Sequence, residues 1–159
     1  MKISVVCVGK IKEKFFSDVI DEYMKRLSKY ADINIVEVSD EKTPDKISEN
    51  KTALIKNTEG ERIRKNIKEG SYIIALAIEG KKMTSVEFSR MIEKKMTEGV
   101  SHITFIIGGS LGISDDVLKA ADMKLSFSDM TFPHQLMRVI LLEQIYRAER
   151  IMKNEPYHK

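Results

Sequence analysis

The sequence predicts an α/β fold, a mostly parallel sheet with helices on both faces, and two observations carry that prediction. Five short runs rich in Ile, Val, Phe and Leu alternate with longer stretches of helical periodicity. Two of the runs, YIIALAI at 72–78 and HITFII at 102–107, are almost continuously apolar, as strands buried on both faces are. Parallel neighbours need crossover connections, and the intervening helices supply them.

Each element follows in order. KISVVCV at 2–8 reads as the first strand, and Phe15, Phe16, Val19, Ile20, Tyr23, Leu27 and Tyr30 then fall on one helical stripe. INIVEV at 33–38 is the second strand. Thr43-Pro44-Asp45 offers a cap, a proline for the first turn and an acid near the positive helix end, opening a charged helix to about Lys68. Gly60 weakens that helix by about 1 kcal/mol relative to alanine and marks a candidate break. After the third strand, Thr84-Ser85-Val86-Glu87 has capping-box spacing, and after the fourth, Ser114-Asp115-Asp116 caps a short helix through about Ala121. MKLSF at 123–127 is the fifth strand, and Pro133 suits the first turn of a last helix carrying Leu136, Val139, Ile140, Ile145 and Ile151 inward.

With 159 residues, 42% of them hydrophobic, the chain is expected to form one domain spanning 1–159. No apolar stretch approaches the roughly 20 residues that cross a bilayer, and Met1 runs straight into a strand, so a cytoplasmic location is expected. Cys7 is the only cysteine, which excludes an intrachain disulfide and a cysteine metal cluster; within ISVVCV it reads as a small buried side chain. The net charge of +3 is unevenly spread: residues 1–31 carry 7 basic and 4 acidic side chains, and residues 133–159 carry 5 and 3. The two ends of the chain are its basic parts.

In a sheet of this kind ligands settle at the carboxyl ends of the strands, which points to Gly9-Lys10, Glu79 to Lys82, Gly108 to Gly112 and Ser128 to Pro133. The stretch FIIGGSLGIS at 105–114 is glycine-rich, yet it fits neither a dinucleotide fingerprint nor a Walker A loop. From Ile103 through Leu118 there is no lysine or arginine, while Asp115 and Asp116 occupy the first turn of the next helix and would repel a phosphate there. The turn therefore suits a neutral or cationic ligand approached closely by main chain, with Leu76, Ile78, Phe127, Met130 and Phe132 as apolar walls. S-adenosylmethionine, an uncharged adenosine joined to a sulfonium, has this character. Glycine used merely to leave a strand and start a helix is the plainer alternative.

The segments IIGGSLGIS, LSFSDMTFPHQLMRVILLEQIYRAERI, ALAIEGKKMTS and the closing NEPYHK resemble the RlmH family of SPOUT-class RNA methyltransferases, over essentially the whole chain. The resemblance implies a homodimer that uses S-adenosylmethionine to methylate N3 of a pseudouridine in 23S ribosomal RNA, within the ribosome. It also implies a C-terminal trefoil knot, which no periodicity reveals. Carried over by motif, the cofactor contacts are Leu76, Gly108, Phe127, Ser128, Asp129, Met130, Thr131 and Phe132. Ala77, Ser110-Leu111 and Gln135 depart from the common family pattern, which leaves those side chains without an implied role.

Such a reaction needs no metal and no covalent protein nucleophile, only alignment and one proton acceptor. His134, at the start of the last helix, is the first candidate for that acceptor, because the helix end favours its neutral form. Tyr157 and His158 in the tail offer a stacking face and a second acceptor for an unpaired base, and the resemblance makes them catalytic candidates too. His102, on the opposite edge of the sheet, reads as structural. Arg138, Arg147 and Arg150 are either solvated helix charges or phosphate contacts, and Lys10, Lys12, Lys14, Lys81 and Lys82 would give RNA a positive approach. A nicotinamide or flavin oxidoreductase is the alternative enzyme that the same β-α alternation allows. A receiver-like signalling module is disfavoured, since Val8-Gly9-Lys10 and Glu79 stand where it needs acidic residues.

Overall fold

The computed structural model describes residues Met1–Lys159. Five strands, β1 (Lys2–Val8), β2 (Asp32–Val38), β3 (Tyr72–Lys82), β4 (His102–Ile107) and β5 (Met123–Ser126), alternate with five helices. The helices are α1 (Lys14–Leu27), α2 (Glu49–Lys65), α3 (Ser85–Thr97), α4 (Asp115–Ala120) and α5 (His134–Met152). The sheet is wholly parallel in the order β2-β1-β4-β3-β5.

Alternation along β1 divides the core in two. Ile3, Val5 and Cys7 join Ile103, Phe105 and Ile107 of β4 beneath α1, α3 and α5, whereas Val6 and Val8 meet Ile106, Ile63 of α2 and Val117 of α4 on the other face. Side chains buried this completely stabilise the fold by roughly 1.5–3 kcal/mol each. Cys7 is among them, its thiol pushed up to about 12 by burial, which makes it an inert core residue.

The helix starts show which local signals win. Thr84 caps α3 with the reciprocal pair to Glu87, and Ser114 accepts from Val117 N–H to cap α4. For α2 the expected start at Thr43-Pro44 is corrected: the chain stays irregular to Ser48, whose hydroxyl accepts from Lys51 N–H, and the helix ends at Lys65. Thr43 is instead drawn to the glycine turn, its hydroxyl 3.3 Å from that of Ser110. Gly60 does not break α2, because the helix buries that position against Ser114 and Val117. The expected loop Glu79–Lys82 is also corrected: it is strand, since β3 runs past an irregularity at which both Leu76 and Lys81 pair with Leu125. Gly80 permits this, for a Cβ there would lie 2.7 Å from the Leu125 main chain. On α1 the apolar stripe is only partly covered, Ile20 and Leu27 being buried while Phe15 remains 62% exposed.

Candidate active site

At the carboxyl ends of β4 and β5, and beside the middle of β3, lies a crevice of about 760 Å³, within the range of roughly 300–1,000 Å³ usual for small-molecule sites. Three connections converge on it: β3 from Leu76 to Glu79, the turn from Gly108 to Gly112, and the segment from Ser126 to His134. Parallel strand order places them together although they are far apart in sequence.

The glycine turn is closed on itself, with Gly109 bridged to Gly112 and Gly112 at φ +92°. A Cβ on Gly108 would lie 2.7 Å from the Gly112 carbonyl carbon, so no side chain fits at that wall. The segment after β5 is organised by its serines: Ser126 Oγ donates to the Ser128 carbonyl at 3.0 Å, and Ser128 Oγ accepts from Met130 N–H at 3.0 Å. Leu76, Phe127, Met130, Thr131 and Phe132 line the space, and Met137 of α5 and Leu118 of α4 add walls that their helical stripes alone did not identify. Asp129 does not line it: its exposed carboxylate pairs with Lys82 Nζ at 2.5 Å. In water such a bridge contributes about 0–1 kcal/mol.

The charge pattern expected from the sequence holds with one addition. Asp115 faces the crevice from α4, and Lys56, contributed by α2, is the cation among the lining residues. Its place is legible only once α2 is packed beside the turn. A neutral or cationic ligand with a flat apolar part, approached by main chain at Gly108, fits a crevice that carries one lysine and the acidic Glu79 and Asp115.

His134 stands at the first residue of α5 and lines the crevice. Its ring lies over Gly9, where a Cβ would be 3.1 Å from Cε1. Burial holds its pKa below the ordinary histidine value, with the Arg138 cation acting in the same direction and Asp40 opposing, so the neutral imidazole is favoured. Nδ1 is buried without a hydrogen-bond partner.

Arg138 is neither of the things expected of it. It is 1% exposed, one helical turn after His134, and its guanidinium donates to Glu37 Oε2 at 2.6 Å and to the Gly9 carbonyl at 2.6 Å. Glu37 also accepts the Ile11 N–H at 2.9 Å, and Gln135 accepts that of Lys12 at 3.1 Å. The first turn of α5 thereby fastens the β1–α1 connection, leaving Lys10 and Lys12 exposed beside the crevice. Arg138 is the buried member of this pair and Glu37 the exposed one, so the guanidinium relies on the Gly9 carbonyl as well as on Glu37.

The other two catalytic candidates lie elsewhere in the protomer. Tyr157 packs edge-on to Tyr146 at 5.0 Å, beneath the Arg147 guanidinium at 4.7 Å, and donates to Glu143 Oε1 at 3.2 Å. Burial first, and then nearby Tyr23 and Glu143, push its phenol up to about 12. Arg147 Nη1 is 3.4 Å from His158 Nδ1. Glu143 and Arg147, which hold Tyr157 and His158, follow His134 by nine and thirteen helical residues, about 14 and 20 Å along the axis, so the chain does not bring its own tail to His134. The tail is nonetheless tied down: Tyr30 hydroxyl donates to Glu155 at 2.5 Å and Arg150 pairs with Glu155 at 2.8 Å. His102, at the amino end of the sheet, has Nε2 2.8 Å from Ser4 Oγ, as suits a structural residue.

Comparison with known proteins adds an independent line. The family model described as "Predicted SPOUT methyltransferase" matches residues 1–158. The chain is 60% identical, over 100% of both chains, to "Ribosomal RNA large subunit methyltransferase H" of Clostridium botulinum (strain Langeland). It is 57% identical, again over 100% of both, to the protein of that name from Bifidobacterium animalis subsp. lactis. Among solved structures, one described as that of a probable methylase family protein from Haemophilus influenzae Rd KW20 superposes with a TM-score of 0.51. At 12% identity, covering 99% of this chain and 70% of that one, it is a likeness of fold alone.

Proposed function

The chain belongs to the SPOUT methyltransferase family, and from that premise we propose that it is a methyltransferase of large-subunit ribosomal RNA that takes its methyl group from S-adenosylmethionine. The observation that carries the cofactor is the crevice where β3, β4 and β5 adjoin, with apolar walls at Leu76, Phe127 and Phe132, main chain at Gly108 and a single lysine, Lys56, in its lining. An oxidoreductase using a nicotinamide dinucleotide would need a pyrophosphate cradle, and Asp115 in the first turn of α4 opposes one. No helix is long and apolar enough to cross a membrane.

Within this reading Leu76, Gly108, Phe127, Ser128, Met130, Thr131 and Phe132 hold the nucleoside, and Asp129 acts on it only by keeping the loop in place through Lys82. When bound, the cofactor supplies an electrophilic methyl on a sulfonium. The substrate atom is N3 of a pseudouridine in 23S ribosomal RNA. His134, neutral and bordering the crevice, would accept the N3 proton of the substrate base as the methyl group is transferred to that nitrogen. The apolar walls exclude water while the sulfonium charge is consumed.

Tyr157 and His158 enter as groups of a second copy. The chain acts as a homodimer in which the tail of one protomer meets the crevice of its partner, an arrangement supported by the distance along α5 and by the exposed Phe15 and Val19 on α1. Lys10 and Lys12, exposed beside the crevice, give the RNA backbone its approach. The trefoil knot is inferred from family membership. The deciding experiment supplies labelled S-adenosylmethionine and ribosomes that lack the modification, followed by mass spectrometry of the nucleosides. Label in 3-methylpseudouridine is expected; label in another nucleoside overturns the substrate, and none at all overturns the activity.

A further inference from the structure

Behind the glycine turn lies a charged side chain to which the reaction above gives no part. Glu59 of α2 is 4% exposed. Its Oε2 accepts the Glu41 N–H at 3.0 Å, while Oε1 is buried and has no hydrogen-bond partner. The main chain of the turn rests against this carboxyl: a Cβ on Gly109 would stand 3.0 Å from Oε1 and 3.2 Å from Oε2. Val8 is the other neighbour of that position, and a buried acceptor without a donor is destabilising until one reaches it. Within the turn the Gly112 N–H donates to the Gly109 carbonyl at 3.0 Å, while the N–H groups of Gly109, Ser110 and Leu111 make no main-chain hydrogen bond. Ser110 is already tethered from the same side, through its hydroxyl, to Thr43 at 3.3 Å.

We infer that Glu59 is a positioning residue for the glycine turn, its free carboxyl oxygen taking a main-chain N–H of that turn when the turn tightens on the methyl donor. The inference rests on the cofactor assigned above and adds to it a coupling between the crevice and a side chain that does not line it. Geometry and charge agree on the sign of the coupling. Burial holds the Glu59 pKa above the ordinary carboxylate range, with Asp40 and Glu41 raising it further, and the Glu41 N–H and Arg62 opposing. Arg62 is itself engaged by Glu41 Oε1 at 2.5 Å and by the Ser39 carbonyl at 2.9 Å. A second N–H on the carboxylate favours its charged form, so binding lowers the Glu59 pKa and releases a proton at pH values between the free and bound pKa. Affinity for the cofactor then weakens as pH falls through that range.

The test is calorimetric titration of the full-length protein with S-adenosylmethionine in buffers of different ionisation enthalpy, stepped from neutral to mildly acidic pH. It is paired with amide nuclear magnetic resonance of the free protein across the same pH range. Wild type is expected to release protons on binding, and the Gly109 and Ser110 amides of the free protein to titrate with Glu59. Glu59→Gln, which preserves shape, should abolish both effects and weaken binding about tenfold at neutral pH, a loss in cofactor affinity with little change in the rate at saturation. Cofactor binding by wild type without proton exchange overturns the inference and needs no variant to do so. So does a Glu59→Gln protein with wild-type affinity and proton release. Failure of wild type to bind the cofactor, with the two amides still titrating, instead overturns the cofactor assignment and leaves Glu59 coupled to the turn.

Discussion

The part proposed for His134 rests on its burial and on two neighbours that a reader of the sequence cannot see. Gly9, at φ +90°, removes the side chain that would lie under the ring, and Arg138 one turn later places a cation that disfavours imidazolium. Because the folded pKa is depressed, the neutral acceptor persists to lower pH than in a free histidine. The rate of methyl transfer should therefore rise with pH through an acid limb below about 6.5 and then level off. His134→Ala should lower the plateau by about a hundredfold or more while cofactor affinity, measured by calorimetry, stays near wild type. An acid limb that survives unchanged in the variant would show that another group takes the proton. The same scale exposes a misreading: Arg138 was expected on the surface because arginine in an amphipathic helix usually is, and only the carbonyl of Gly9 together with Glu37 makes its burial tolerable.

Helix α2 shows how an element can look weak in sequence and still be needed where it stands. Gly60 costs helix propensity, yet a Cβ there would run into Ser114 Oγ, the atom that caps α4. Gly60→Ala gains in propensity and loses the cap and the close α2–α4 approach. The net expectation is a destabilisation of about 1–2 kcal/mol, read as a lower midpoint in urea with an unchanged slope. A variant as stable as wild type would mean that Ser114 turns aside without loss. Helix positions with reciprocal caps, as at Thr84, were legible because the signal is complete within four residues. The start of α2 was not, because Thr43-Pro44 satisfies the same local rules and is overridden by the contact of Thr43 with Ser110, 67 residues away. The extension of β3 escaped for a like reason, Gly80 being set by the main chain of Leu125.

For the whole molecule, the two ends of α5 frame the question of assembly, with His134 at one end and the tail network at the other. If the tail of one protomer completes the crevice of its partner, co-expression of His134→Ala chains with chains truncated before Glu155 should restore methyl transfer that neither supports alone. Up to about a quarter of wild-type activity is expected for random pairing, since half the dimers are mixed and each has one intact site. No restoration in a demonstrated mixed dimer places both groups in one chain's site and removes the shared arrangement. By itself the sequence determined the alternation of strands and helices, the two-sided burial of β4, and the absence of basic residues along the glycine turn, because periodicity and charge are properties of neighbours in the chain; the same burial expected of β3 holds only at Ile74 and Ala75. Only the tertiary structure decided that Lys56 borders the crevice, that Glu59 lies behind Gly109, that Arg138 is buried and that the tail is held about 14–20 Å from His134 along α5. Those facts depend on which strands lie side by side and how helices cross them, and contacts between residues far apart in sequence leave no local pattern to read.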